Sequence, residues 1–223
     1  MTEIPYVRRP ADFSRPVRYA HGPDSQRQPD RQDGGVLLVV ITGQIASGKS
    51  TLAKALASEL GRRGMPAAAV DLDVVYEMLD PVRDPKTNQA TWKAARRLAG
   101  RIAVALLAEG TRVVLDGEFL SSADRADLLE VLPPDVQPRF VALRVPYETA
   151  LQRARIDPTR GVSRDPEFLR DHYEAAAPAV LAAPSSDLAL DTGAAGVEES
   201  VRAVIERISP QEAWGSFCAS VRE

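Results

Sequence analysis

One cysteine, Cys218, is present in a chain of 223 residues. No intrachain disulfide can form, and the fold must rest on packing. Long hydrophobic runs are also missing. The longest unbroken apolar stretches, such as Ile102 to Ala108, fall well short of the roughly 20 residues of a membrane span. No apolar signal-peptide core lies near the N-terminus. Neither sign of charge dominates: the formal net charge is −3 and the isoelectric point about 5.6. This gives no global pull toward nucleic acid or an anionic membrane. Histidine is scarce, and neither His21 nor His172 has a partner identifiable from sequence, so neither is assigned a role. These absences leave the expectation of a soluble, cytoplasmic protein.

Apolar residues make up 44% of the chain, enough for the core of one domain with appendages. Arginine greatly outnumbers lysine and alanine is abundant. That pattern reflects GC-rich coding, so a single arginine carries less functional weight. Residues 1–35 stand apart, with Pro5, Pro10, Pro16, Pro23, Pro29, six arginines and a closing Gly34-Gly35. They read as a disordered leader. The alternative is an extended arm anchored by Tyr6, Phe13 and Tyr19 on the domain or on a second subunit, which would make a homodimer. Residues 211–223 are expected to form a C-terminal tail.

From Val36 onward short apolar runs alternate with helical patterns. Strands are expected at 36–42, 67–71, 112–116, 138–145 and 187–190. Helices are expected near 49–62, 73–79, 89–109, 122–131, 147–155, 166–181 and 196–208. In the third helix Leu98, Ile102 and Leu106 recur four apart and predict a core-facing stripe. Alternation of this kind implies an α/β fold, a parallel sheet with helices on both faces. Such sheets bind ligands at the carboxyl ends of their strands.

The strongest motif lies at the end of the first strand. Gly43-Gln44-Ile45-Ala46-Ser47-Gly48-Lys49-Ser50-Thr51 is the G-x-x-x-x-G-K-[ST] pattern in its strand–loop–helix context. Glycine lets the backbone wrap closely around phosphates, and successive N–H groups with the positive helix end face the anion. Lys49 is placed to reach the β- and γ-phosphates, and the Ser50 hydroxyl to ligate Mg2+. A plain glycine turn would not need Lys49.

Three further constellations fall at strand ends. Asp71-Leu72-Asp73 presents two carboxylates that a strand-to-helix turn can aim at one site. Asp71 is expected near the metal and Asp73 as the base that orients an acceptor hydroxyl. Helix capping by Asp73 is the competing reading. Val113-Val114-Leu115-Asp116-Gly117-Glu118 ends an apolar strand in an acid, so Asp116 would hold Mg2+ beside the loop. Gly117 would allow close approach, and Glu118 is a weaker acceptor-side candidate. Asp116 also reads as a helix-entry acid, although Ser121 or Ser122 makes a better cap. Finally, Arg153, Arg155, Arg160 and Arg164 lie within twelve residues across a helix end and a Pro/Gly loop. A lid over 153–166 could place guanidinium groups, above all Arg153, Arg160 and Arg164, on the developing charge. A solvated charged loop is the bland alternative. Arg83 and Trp92 are weaker acceptor-contact candidates, competing with an exposed loop arginine and a core tryptophan.

Taken together these segments resemble the small P-loop kinases, and within them the chloramphenicol phosphotransferase-like and zeta-toxin-like group. Shikimate, gluconate and polynucleotide kinases are more distant. The resemblance covers about 36–210 and is carried by Gly43–Thr51, Asp71-Leu72-Asp73, Leu115-Asp116-Gly117 and the segment from Arg153 to Asp165. It implies a P-loop NTPase three-layer α/β/α sandwich, with a five-stranded parallel sheet in the order 2-3-1-4-5 and a lid. It also implies ATP with Mg2+ as donor, a small-molecule hydroxyl as acceptor and Asp73 as base. Two alternatives stand beside this reading. A polynucleotide-end kinase is disfavoured by the acidic isoelectric point. A nucleotide-dependent ATPase or switch has no need of the Asp71/Asp73 pair, and the N-K-x-D element of a guanine-specific switch is missing.

Overall fold

The computed structural model describes residues 37–80 and 89–208. The leader, the C-terminal tail, His21 and Arg83 lie outside the described residues.

Five strands form one sheet: β1 (Leu38–Gly43), β2 (Ala67–Asp71), β3 (Arg112–Gly117), β4 (Arg139–Arg144) and β5 (Leu188–Asp191). The order is β2-β3-β1-β4-β5, and every neighbouring pair is parallel. The helices are α1 (Lys49–Arg62), α2 (Leu72–Leu79), α3 (Gln89–Ala108), α4 (Ser122–Leu129), α5 (Tyr147–Ile156), α6 (Pro166–Leu181) and α7 (Val197–Ile208). A short 3-10 turn, Val162–Arg164, lies between α5 and α6. The elements agree with the sequence expectation to within a residue or two at most ends.

The strands read as unbroken apolar runs because both faces of the sheet are covered. On one face Leu38, Val40, Val113 and Leu115 pack with α2, α3 and α4. On the other, Val39, Ile41 and Val114 meet Leu52, Leu56 and Leu60 of α1 and Val204 and Ile205 of α7. Three layers result. The stripe on α3 differs from expectation. Ala95, Ala99 and Ala103 are fully buried, while Leu98, Ile102 and Leu106 are only partly buried against the same core. Alanine has no bulk beyond Cβ, so the helix lies close to its neighbours and the larger side chains fill its flanks.

Charge fixes α4 beside α3. Arg96 bonds Asp124 at 2.8 Å and Asp127 at 3.4 Å, and Arg97 bonds Glu130 at 2.9 Å. Ser121 caps α4 through a reciprocal box with Asp124. Together these contacts hold the short segment between β3 and α4, which borders the site. No helix among the described residues is long and apolar enough to cross a membrane.

Candidate active site

β1 is the central strand, flanked by β3 and β4, and its end delivers the chain into the loop 44–48. Gly43 admits no side chain: a Cβ there would lie 2.7 Å from both Leu143 O and Ser47 Oγ. Gly48, at the N-cap of α1, is left-handed at φ 91°. Ala46 is also left-handed, at φ 60°. For a non-glycine residue that conformation costs about 1–3 kcal/mol and is typical of functional loops.

The carbonyls of Gly43, Gln44, Ile45 and Ser47 are each hydrogen-bonded by a side chain. Lys49 Nζ donates to Gly43 O at 2.9 Å and Gln44 O at 3.0 Å. Tyr173 Oη donates to Ile45 O, and Thr192 Oγ1 to Ser47 O, both at 2.9 Å. Among the described residues the N–H groups of Ile45, Ala46 and Gly48 have no backbone partner. The buried Ser47 hydroxyl has none at all. Donors left over on one side of a loop, at a helix N-terminus, are what a polyphosphate needs. Ser50 and the exposed Thr51 lie in the first turn of α1.

The sheet register brings the acids together. Asp71 on β2 is the direct partner of Asp116 on β3, and Asp116 is also opposite Ile41 on β1. Asp116 is 2% exposed and accepts a 2.6 Å hydrogen bond from Ser50 Oγ. Burial pushes its carboxyl up to about 6, helped by the charges of Asp71 and Asp73 and opposed by the Ser50 hydrogen bond and the Lys49 charge. Capping falls to Asp71 rather than Asp73: Asp71 Oδ1 accepts from Asp73 N at 2.9 Å. Asp73 lies in the first turn of α2, exposed.

These residues fit Mg2+. A buried carboxylate short of compensating positive charge sits on the very hydroxyl that the loop offers a cation. Among the described residues no group of three or more His, Cys, Asp or Glu could hold a metal alone. Mg2+ is usually held by one or two carboxylates with substrate phosphates and water completing its shell.

The lid arginines are deployed differently from one another. Arg153 donates both terminal amino groups to Thr192, to its hydroxyl at 3.2 Å and to its carbonyl. Because Thr192 in turn holds Ser47 O, Arg153 braces the loop from behind. Arg160 is half-buried and paired with Asp157 at 3.3 Å. Arg164 is exposed, with a 3.5 Å contact to Arg155 O. Tyr173 lies between these groups. Burial, with the nearby Glu118 charge, pushes its phenol up to about 12 against the opposing charges of Arg153 and Arg160.

Toward the β2 side, Gly117 is buried, and a Cβ there would lie 2.6 Å from Leu72 Cβ. Its close approach is therefore to α2. Trp92 is half-buried and stacks on Tyr76 with ring centroids 4.1 Å apart. Glu118 Oε1 meets His172 Nε2 at 3.1 Å. A carboxylate only accepts, so the ring nitrogen is the donor. Burial raises the Glu118 pKa, but the His172 hydrogen bond and the charges of Lys49, His172 and Arg96 outweigh it and hold the carboxyl below its ordinary value.

Residues 38–171, more than half of the chain, match the family model of an AAA domain, AAA_33. The chain belongs to this AAA domain family. Solved structures place the AAA domain among P-loop folds of the same architecture. The Mycobacterium tuberculosis APS kinase in complex with AMPPNP and APS is 20% identical with a TM-score of 0.59. That match covers 78% of this chain and 98% of the other. A gluconokinase from Sinorhizobium meliloti is 19% identical with a TM-score of 0.55, covering 82% and 97%. A shikimate kinase from Bacteroides thetaiotaomicron is 19% identical with a TM-score of 0.54, covering 76% and 97%.

Two contacts around the site escape sequence reasoning. Thr192 joins Arg153 to the loop, and His172 joins Glu118. From its position after the last strand Asp191-Thr192-Gly193 suggests a place against the adenine rather than a link to Arg153, and His172 gives no signal at all, because its partner is fifty-four residues away.

Proposed function

We propose that this AAA domain is a cytoplasmic, ATP- and Mg2+-dependent kinase that phosphorylates a hydroxyl of a small molecule. The observation that carries the reading is the presence of two distinct acid positions, one on β3 and one on the helix that follows β2. Asp116 is buried on Ser50 beside the phosphate loop, and Asp73 is exposed on α2, close enough for its charge to raise the Asp116 pKa. One acid serves the donor side and the other the acceptor side. The kinases with similar folds support the same class, and the chloramphenicol phosphotransferase-like resemblance adds antibiotics to sugar nucleotides and metabolites as acceptors to test.

Each residue then has a task. The loop N–H groups and Lys49 hold the β- and γ-phosphates. Ser50 and Asp116, with Asp71 beside them, would hold Mg2+, which neutralises phosphate charge when bound. Asp73 accepts the proton of the acceptor hydroxyl as its oxygen bonds to the γ-phosphorus. The bond from that phosphorus to the bridging oxygen breaks, and ADP leaves. Arg160 and Arg164, on the lid, supply cations for the transferring group, while Arg153 keeps the loop in shape. Arg83, Trp92 and Glu118 are offered as acceptor-side residues, with Gly117 shaping that side through its contact with α2.

The test is transfer from γ-labelled ATP with Mg2+ into a panel of hydroxyl compounds, antibiotics and sugar nucleotides included. Label should enter one acceptor class. Asp73→Asn should cut transfer by about 10²–10⁴-fold, the usual worth of a positioned base, with nucleotide affinity kept. Lys49→Ala should lose both. Label released only as inorganic phosphate, with Asp73→Asn fully active, would replace the kinase reading with an ATPase or switch. Transfer to oligonucleotide ends would replace it with a polynucleotide-end kinase.

A further inference from the structure

Helix α6 follows the lid directly and carries two consecutive polar contacts. Tyr173 donates to Ile45 O in the phosphate loop at 2.9 Å, and His172 holds Glu118 at 3.1 Å. Consecutive helical residues point about 100° apart, so one turn of α6 grips two different walls of the site. The grip on the loop is reinforced by packing. Leu169 and Tyr173 share a small apolar cluster with Ile45 and Ala46, and Tyr147 stacks edge-on against Tyr173 at 5.7 Å.

The other wall is the segment from Asp116 to Ser121. It is tied to β1 where Phe119 N donates to Thr42 Oγ1 at 2.9 Å, and to α4 by the Ser121 cap. Both of those ties come from the sheet and helix core. His172 is the one hydrogen-bond partner of the Glu118 carboxylate among the described residues, and it comes from the lid side. Glu118 is two residues beyond Asp116, on the rim assigned above to the acceptor.

We propose that His172 is a positioning residue: through Glu118 it links the lid-following helix to the acceptor-side rim, so that nucleotide bound at the loop orders that rim. The inference rests on the kinase reading above. A ligand shifts a segment only through its differential affinity for two arrangements. Here nucleotide touches the loop, the loop holds Tyr173, and the preceding residue of the same helix, His172, holds Glu118. The donor side would thereby prepare the acceptor side before the acceptor arrives.

Amide hydrogen exchange with and without AMPPNP and Mg2+ reads each segment separately. In the wild type the nucleotide should slow exchange at 43–51, at 166–180 and at 117–121. In His172→Phe, which keeps an aromatic ring beside Tyr173 but loses the donor, slowing should persist at 43–51 and 166–180 and vanish at 117–121. His172→Gln, whose amide can still donate to Glu118, should recover it. Wild-type slowing at 117–121 in His172→Phe would overturn the inference while leaving the kinase reading intact. Loss at all three segments in His172→Phe would also overturn it, reducing His172 to a support of the fold. Absence of slowing at 43–51 in the wild type would remove the nucleotide reading itself, and the inference with it.

Discussion

Asp116→Asn should stabilise the nucleotide-free protein at neutral pH while disabling it. Asp116 is 2% exposed, and its pKa rises from 3.8 to about 6, mostly through burial. A carboxyl raised by about two units favours its protonated form in the folded state. Between these two values the folded chain binds a proton that the unfolded chain has lost. Stability must therefore fall as pH rises through that window, and level off above it. At 1.36 kcal/mol per unit the full penalty is about 3 kcal/mol. Asparagine keeps an oxygen for the Ser50 hydroxyl but carries no charge. The raised value already contains the Ser50 hydrogen bond, so the gain above about pH 7 is the full penalty, roughly 3 kcal/mol. Near pH 4 the gain should disappear. Urea unfolding in chelator, across that pH range, measures the difference. With AMPPNP and Mg2+ at about 1,000 Kd the wild type should gain about 4.1 kcal/mol and the variant far less, reversing the ranking. A stability gap that does not change with pH, or a variant less stable than wild type at neutral pH, would refute the reasoning.

Three other substitutions probe the scaffold of the site. Gly117→Ala places a Cβ 2.6 Å from Leu72 Cβ and Cδ2, so α2 must shift. Urea titration should show a loss of about 1–3 kcal/mol, the usual cost of overpacking. Thr192→Val removes the hydroxyl that holds Ser47 O at 2.9 Å. It should cost about 1–2 kcal/mol and raise the KM for ATP, with kcat for a saturating donor little changed. Arg125→Met strips a 5% exposed guanidinium from Phe119 O, Ser185 O and Ser186 Oγ. It leaves buried acceptors unpaired, and a loss of about 2–4 kcal/mol is expected from the thermal midpoint.

What could be read from the chain follows the range over which each signal acts. The phosphate loop is legible because strand, glycines, lysine and helix are contiguous, so a single segment carries its whole geometry. The strands are legible because a parallel strand covered on both faces reads as an apolar run, as β1 does from Leu38 to Ile41. Ser121 is legible as a cap because a capping box spans four residues. Asp71 was a less transparent case. Both acids of Asp71-Leu72-Asp73 suit a helix start, and only the backbone shows that the helix begins at Leu72, so that Asp71 takes the cap and Asp73 lies in the first turn. The α3 stripe misleads for a related reason. Periodicity gives the face but not the distance of approach, and at the closest approach alanine displaces leucine.

The remaining contacts join residues that no local pattern connects. Arg153 belongs to an arginine-rich stretch whose composition suggests cations aimed at phosphate, yet its hydrogen bonds go to Thr192, thirty-nine residues on. The sheet order explains why. β5 is the edge strand beside β4, and α5 leaves the end of β4, so the turn after β5 must pass close to α5 and to the loop after β1. A hydroxyl there can reach Ser47 O, and an arginine on α5 can reach that hydroxyl. Arginine with five donors suits such a brace better than lysine, because it can hold a hydroxyl and a carbonyl at once. The same topology makes the lid composition a poor guide to individual roles: of Arg153, Arg160 and Arg164, the residue nearest the sheet is committed to shaping the phosphate loop. Under the proposed function it is Arg160 and Arg164 that would meet the phosphate. On this reasoning Arg153→Lys should weaken ATP binding in parallel with Thr192→Val. The double variant should show no further loss, since either change breaks the same link. Additive losses in the two single variants would separate Arg153 from Thr192 and return it to a direct role on the transferring group.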